Sequence, residues 1–122
     1  MKANKKTVVI GASNNPERYA YQATISLQNH GHEVVPVGIR DGEINGLKIL
    51  KGNPPIENVD TVTLYVGPQN QQPWYDYVIS LKPKRVVFNP GAENPEFEAL
   101  LLKNNIEPLE ACTLVMLSIG NY

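Results

Sequence analysis

Cysteine is almost absent from this chain: Cys112 is its only one. A single thiol cannot build an internal disulfide framework or a cysteine-based structural zinc site, and it fits a reducing cytoplasm. Runs of like charge are absent too. Eleven lysines and arginines stand against twelve acidic residues with no block of either sign. That leaves no electrostatic footprint for duplex nucleic acid or an anionic membrane, so any anion has to be bound locally. No stretch of about 18 apolar residues is present to cross a bilayer. Residues 1–6, Met-Lys-Ala-Asn-Lys-Lys, lead into a short strand pattern and not into a signal-peptide core. The expectation is a soluble cytoplasmic protein with no membrane or nucleic-acid partner. Internal repeats, low-complexity tracts and composition shifts are lacking as well, and 122 residues make about one domain, able to bury roughly two-thirds of its unfolded surface. The domain expected is 1–122.

What the chain does have is five hydrophobic runs, Thr7–Ile10, Val34–Val37, 62–66, 86–88 and 106–109, alternating with helical patterns. Asn15-Pro16 reads as a helix cap followed by proline at the first helical position, where a missing amide hydrogen costs nothing. Asn94-Pro95 repeats the signature and Gln72-Pro73 offers a weaker version. Behind these starts, Ala20/Ala23/Thr24/Leu27, Trp74/Tyr77/Val78/Leu81 and Phe97/Leu100/Leu101 follow helical spacing, each giving one face for a sheet. Gly31 and Pro83 fall where the first and second helices should stop. Residues 41–58, rich in Gly, Asn and Pro, read as a mostly irregular crossover with a short apolar patch at 47–50.

Strands alternating with helices imply right-handed crossovers and an open parallel sheet. The fold class expected is α/β, a Rossmann-like doubly wound five-stranded parallel sheet, with 3-2-1-4-5 the simplest order. Pro36 conflicts with an interior strand, because proline loses a ladder hydrogen bond, and it is read as that strand's end.

Ligands of such sheets bind beyond the carboxyl ends of the strands, where the order reverses. Past the first strand lies Gly11-Ala12-Ser13-Asn14; past the second, Gly38-Ile39-Arg40; past the third, Gly67-Pro68; past the fourth, Asn89-Pro90-Gly91-Ala92-Glu93; past the fifth, Glu110-Ala111-Cys112. A buried strand running through a small-residue turn into a helix start is an anion-binding arrangement, since turn amides and the helix N-terminus point the same way. The dinucleotide fingerprint G-x-G-x-x-G is not met: Gly11 is present, but Ser13 and Pro16 replace the later glycines. The acidic residue that would bind a ribose hydroxyl is replaced by Arg40, a cation suited to a ribose phosphate as in coenzyme A or NADP; the bland alternative is a solvated loop arginine. His30 and His32 map to the opposite edge and are poor candidates for catalysis.

These residues resemble a known family, the small coenzyme A-binding proteins whose fold is that of the CoA-binding domain in the succinyl-CoA synthetase alpha subunit. The resemblance runs nearly the whole chain. It is carried by Val9-Ile10-Gly11-Ala12-Ser13-Asn14-Asn15-Pro16-Glu17-Arg18, by Val34-Val35-Pro36-Val37 with Arg40, by Gly46-Leu47-Lys48, by Asn89-Pro90-Gly91 and by the late Cys112. It implies that Gly11, Ala12, Ser13 and Asn14 hold the pyrophosphate, that Arg18 and Arg40 contact phosphates, and that Gly38 and Val66 border the adenine. Gly67, Pro90 and Gly91 complete the implied cofactor-binding set. There are departures. Tyr65-Val66-Gly67-Pro68 stands where the family carries polar or arginine residues, and 112–117 is apolar where the family is basic and polar. The synthetase's second domain and phosphorylated histidine have no counterpart here.

The function the resemblance implies is binding of coenzyme A or acyl-CoA without catalysis, in a carrier or a sensor. The alternative is an NADP-linked enzyme or redox sensor, against which stand the missing glycines and the lack of a lysine suitably spaced from Tyr65 or Tyr75. A third reading is a homodimer, or a module docking on a larger acyl-CoA enzyme through the apolar 112–117 run; that run could equally pack on the sheet. Cys112 reads either as a buried small hydrophobe or as a partner for the CoA thiol. Glu93 reads as a helix-opening or solvated carboxylate before it reads as a general acid, and Trp74 with Tyr77 as a core stripe before a base-stacking pair. Ser13 and Asn14 are turn formers in any reading.

Overall fold

The described residues of the computed structural model are 4–122. The reading of Met1, Lys2 and Ala3, and the first three residues of the expected domain, lie outside them. In chain order the elements are β1 (Thr7–Ile10), α1 (Tyr19–Asn29), β2 (Val34–Val37), β3 (Glu43–Ile44), β4 (Leu47–Lys48), β5 (Thr61–Leu64), α2 (Tyr75–Leu81), β6 (Arg85–Phe88), α3 (Pro95–Lys103), β7 (Glu107–Glu110) and α4 (Thr113–Ile119). Two short 3-10 turns, Pro68–Asn70 and Gln72–Trp74, lead into α2. Among the described residues no helix is long and apolar enough to cross a membrane.

Five strands form one parallel sheet in the order β2-β1-β5-β6-β7. This is the Rossmann-like doubly wound class expected. The order differs: in terms of the five runs it is 2-1-3-4-5, not 3-2-1-4-5, so β2 is an edge strand. The reason lies at Pro36, which is inside β2 and does not end it. Its neighbours Val35 and Val37 face β1, so Pro36 points its missing donor outward, where a third strand would otherwise pair. The crossover itself takes what remains of that edge: Leu50 donates to the Pro36 carbonyl (3.0 Å) and accepts from the Gly38 amide (2.9 Å). β5 therefore pairs on the far side of β1, Thr7 against Thr61 and Ile10 against Leu64.

The crossover is also less irregular than expected. Asn45 and Gly46, both at positive φ (48° and 86°), close a two-residue turn between β3 and β4, with Glu43 paired to Lys48. α1 starts at Tyr19, later than the Asn15-Pro16 signature predicts. Asn15 Oδ1 accepts from the Glu17 amide and its carbonyl from the Arg18 amide, so these residues close one turn on themselves before the helix begins. At α3 the same signature works as read, Asn94 Oδ1 accepting from the Phe97 amide at 3.2 Å. The 112–117 run leads into a fourth helix, α4, which packs Met116 and Leu117 into the core under the sheet and leaves Val115 and Ile119 exposed.

Side chains alternate between the faces of the sheet. Val8, Ile10, Val62, Leu64, Val86 and Phe88 pack under α2 and α3; Val9 and Val87 pack under α1 and α4 with Ile44, Ile49 and Tyr122. The second face holds a buried polar group at the start of α4. Asn89, just past β6, donates to Thr63 Oγ1 (2.6 Å) and to the Leu64 carbonyl (2.8 Å) and accepts from the Thr113 amide (2.9 Å). Thr63 and Thr113 hydroxyls meet at 2.8 Å. The side chain thus satisfies an α4 amide that has no partner within its own helix.

Tyr77 fastens the crossover to α2, donating from its hydroxyl to the Pro54 carbonyl at 2.6 Å. Burial pushes its phenol up from 10.0 to about 12. A phenol whose folded pKa is raised contributes stability that is complete below its unfolded pKa and is lost as pH rises toward the folded one. Urea unfolding should therefore show stability falling between pH 10 and about 12. Tyr77→Phe should flatten that fall, while costing about 1 kcal/mol near neutrality through the lost hydrogen bond. An equally steep fall in the variant would assign the alkaline loss to Tyr65 and Tyr122, whose phenols burial also raises.

Candidate functional site

Strand order fixes where a ligand can enter. From β1 the chain turns toward β2 on one side, and from β5 toward β6 on the other, so the exits of β1 and β5 form the switch point. An open cleft of about 1290 Å³ lies over these exits.

Its floor is made by backbone in close approach. Gly11, at φ 90°, lies against the next strand's exit, and a Cβ there would stand 2.8 Å from the Tyr65 carbonyl oxygen. On the other side a Cβ on Gly38 would stand 2.5 Å from the Ala12 carbonyl oxygen. Gly11 and Ala12 amides both donate to the Val37 carbonyl at 3.0 Å. These two residues therefore offer shape, their donors being spent inside the sheet. The amides of Ser13 and Asn14 have no internal acceptor among the described residues, and the first-turn amides of α1 at Tyr19 and Ala20 have none within their helix. The start of this eleven-residue helix, the positive end of its dipole, borders the cleft.

All of the sequence-assigned residues line this one cleft: Gly11, Ala12, Ser13, Asn14 and Arg18 from the first turn, Gly38 and Arg40 from the second, Val66 and Gly67 past β5, and Pro90 and Gly91 past β6. Arg18 and Arg40 are exposed, and neither has a carboxylate partner among the described residues. Sequence reasoning missed Lys51, which lines the same end and pairs with Asp41 at 2.9 Å. Lys51 holds the Asp41 carboxyl below its ordinary range, chiefly through that hydrogen bond. The legible signal was Asn45-Gly46, whose hairpin returns the chain to β2 and carries Lys51 back beside Arg40. Missed too were Tyr19 and Ile39, 69% and 79% exposed at the rim, and Asn70 and Pro73 from the 3-10 turns. Trp74 reads as core in the sequence; it is half-buried, packs against the core and also lines the cleft.

Charge is segregated along the cleft. Arg18, Arg40, Asp41 and Lys51 gather over β1 and β2, whereas Val66, Gly67, Asn70, Pro73, Trp74, Pro90, Gly91 and Ala92 make an uncharged end over β5 and β6. Tyr65, on the floor between, is kept neutral by burial, which raises its phenol. The other candidates are not among the lining residues. Glu93 is exposed and accepts from the Gly91 amide at 2.9 Å. Cys112 is half-buried at the start of α4 and outside the cleft lining. His32 is buried at the far edge, its Nδ1 accepting from the Lys5 amide at 3.0 Å, and His30 Nδ1 bonds the Ser26 carbonyl.

A doubly wound parallel sheet with an anion-ready turn at its switch point is the architecture of a Rossmann-like ligand-binding domain. The chain belongs to the CoA binding domain family, whose model matches residues 5–118. A solved structure of an uncharacterised protein is 55% identical over 99% of this chain and 100% of that one, with a TM-score of 0.97. A conserved hypothetical protein from Pyrococcus furiosus is 29% identical over 91% of this chain and 97% of its own, at TM-score 0.78. Cell-free ID.343 from Thermus thermophilus is 25% identical over 97% and 91%, at TM-score 0.83. No curated protein matches.

The close approach of the two loops sets a testable cost. Gly38→Ala should destabilise the protein by about 1–3 kcal/mol, as overpacking against a carbonyl does, read as a shift of the urea midpoint. An unchanged midpoint would show that the first and second turns can part freely.

Proposed function

We propose that the protein binds coenzyme A or an acyl-CoA in this cleft, in the cytoplasm, without catalysing a reaction of its own. One observation carries the reading beyond family membership: the segregation of charge. Coenzyme A is an elongate molecule with phosphates at its nucleotide end and a neutral pantetheine arm at the other. The cleft has cations and unspent amides at one end and uncharged walls at the other, which fits that distribution.

In this reading the amides of Ser13 and Asn14, with the start of α1, meet the pyrophosphate, and Gly11 and Ala12 shape the turn that lets it approach. Arg18 and Arg40 contact phosphates, Arg40 the ribose phosphate, and Lys51 adds its charge beside them while keeping its pair with Asp41. Gly38 borders the adenine, while Val66, to which the resemblance gives the same role, stands in this reading with Gly67, Pro90 and Gly91 along the arm. Support for a non-catalytic role comes from the lining itself: its one carboxylate among the described residues, Asp41, is committed to Lys51, and the Tyr65 phenol is held neutral. The Cys112 thiol is not among the lining side chains, and in this reading the ligand is held without it.

The test is calorimetric titration with CoA, dephospho-CoA, NADP and NAD under reducing conditions. CoA should bind most tightly, and Arg40→Ala should cost about tenfold for CoA with little change for dephospho-CoA, the worth of one charge-assisted contact. Equal losses for the two ligands would remove Arg40 from the ribose phosphate. Binding of NADP alone would move the protein to the redox alternative.

A further inference from the structure

Gln71 is completely buried, at 0% exposure, and it is not among the residues that touch the cleft. Its Nε2 donates to the Val66 carbonyl at 2.8 Å and to the Ala92 carbonyl at 2.7 Å, and its Oε1 accepts from Asn94 Nδ2 at 3.0 Å. Asn94 in turn donates to the Tyr75 hydroxyl (2.9 Å) and caps α3 through Phe97. One glutamine thus joins the loop past β5, the loop past β6 and the starts of α2 and α3. The β5–β6 ladder ends at Leu64 and Phe88; beyond it, the Gln71 amide spans the gap. Val66 and Ala92, the two residues it holds, both line the uncharged end of the cleft.

Hydrogen bonds are directional, so a buried amide between two carbonyls fixes their separation more narrowly than an apolar side chain of equal volume would. We propose that Gln71 is the positioning residue for the uncharged end of the cleft, setting the spacing of its Val66 and Ala92 walls and so the affinity for the neutral arm of the ligand. The phosphate end, built on β1 and β2, does not depend on it. This rests on the coenzyme A reading above.

The experiment titrates wild type, Gln71→Met and Asn94→Ser with CoA and with adenosine 3′,5′-bisphosphate, which carries nucleotide phosphates but no pantetheine arm. Each titration is made at a temperature where melting curves show the protein fully folded. Gln71→Met should weaken CoA by about tenfold, the scale of one or two misplaced hydrogen bonds. It should leave the bisphosphate within about twofold, inside the usual scatter for distant sites. Asn94→Ser keeps a good helix cap while removing the donor to Gln71 Oε1. It should give the same split at smaller size, and it carries the test if Gln71→Met does not fold. Parallel loss of both ligands, as general loosening would cause, or no loss of either, overturns the positioning role. A wild-type protein that binds neither compound overturns the coenzyme A reading and this proposal with it.

Discussion

The structure depends on how closely three backbones leave the sheet together. Gly11 lies against Tyr65, Ala12 against Gly38, and the Val37 carbonyl takes the Gly11 and Ala12 amides together. Side chains at Gly11 or Gly38 would push these exits apart. The contact places the first turn over the junction of β1 and β5 and leaves its Ser13 and Asn14 amides unspent among the described residues. It also holds Ile39, Arg40 and Asp41 beside Asn14, because Gly42 packs on the Asn14 side chain at the far end of the same loop. Turns held together in this way are constrained before any ligand arrives, and a constrained cleft loses little freedom on binding.

Much of this could be read from the residues. Strand periodicity located all five members of the parallel sheet, and the rule that ligands gather at the carboxyl edge put residues from four separate turns into one cleft. Strand order was not legible from periodicity, which says that a strand is buried but not by which neighbours. Pro36 held that information. A proline within a strand pattern marks an edge, and treating it as a strand end discarded the one residue that separates the two doubly wound orders. The helix start at Asn15-Pro16 misled for a different reason: an Asx turn and a helix cap use the same side chain and the same amides, and the two part only in the backbone of the next few residues.

Gln71 shows a further limit. Nothing in the pattern Pro68-Gln69-Asn70-Gln71-Gln72-Pro73 distinguishes the third amide side chain from its exposed neighbours, since its partners include a carbonyl and an asparagine twenty or so residues away. Asn89 reads in the sequence only as part of a turn, yet it joins β5, β6 and the start of α4. Both are buried amides whose roles are set by tertiary approach. Both lie where the sheet's own ladder has stopped, which is where backbone groups most need side chains to satisfy them.

The two outer strands share a property that concerns the protein's behaviour in a crowded solution. β7 carries Pro108 between Glu107 and Glu110, and Glu107 and Ala111 turn their amides toward β6, so Pro108, like Pro36 at the opposite margin, occupies a position facing away from the sheet. Each margin therefore lacks a donor midway along a four-residue strand, one with Leu50 already seated on it and the other flanked by carboxylates. A foreign chain pairing along either side of the five-stranded sheet would meet a missing donor midway, a feature that works against edge-to-edge aggregation.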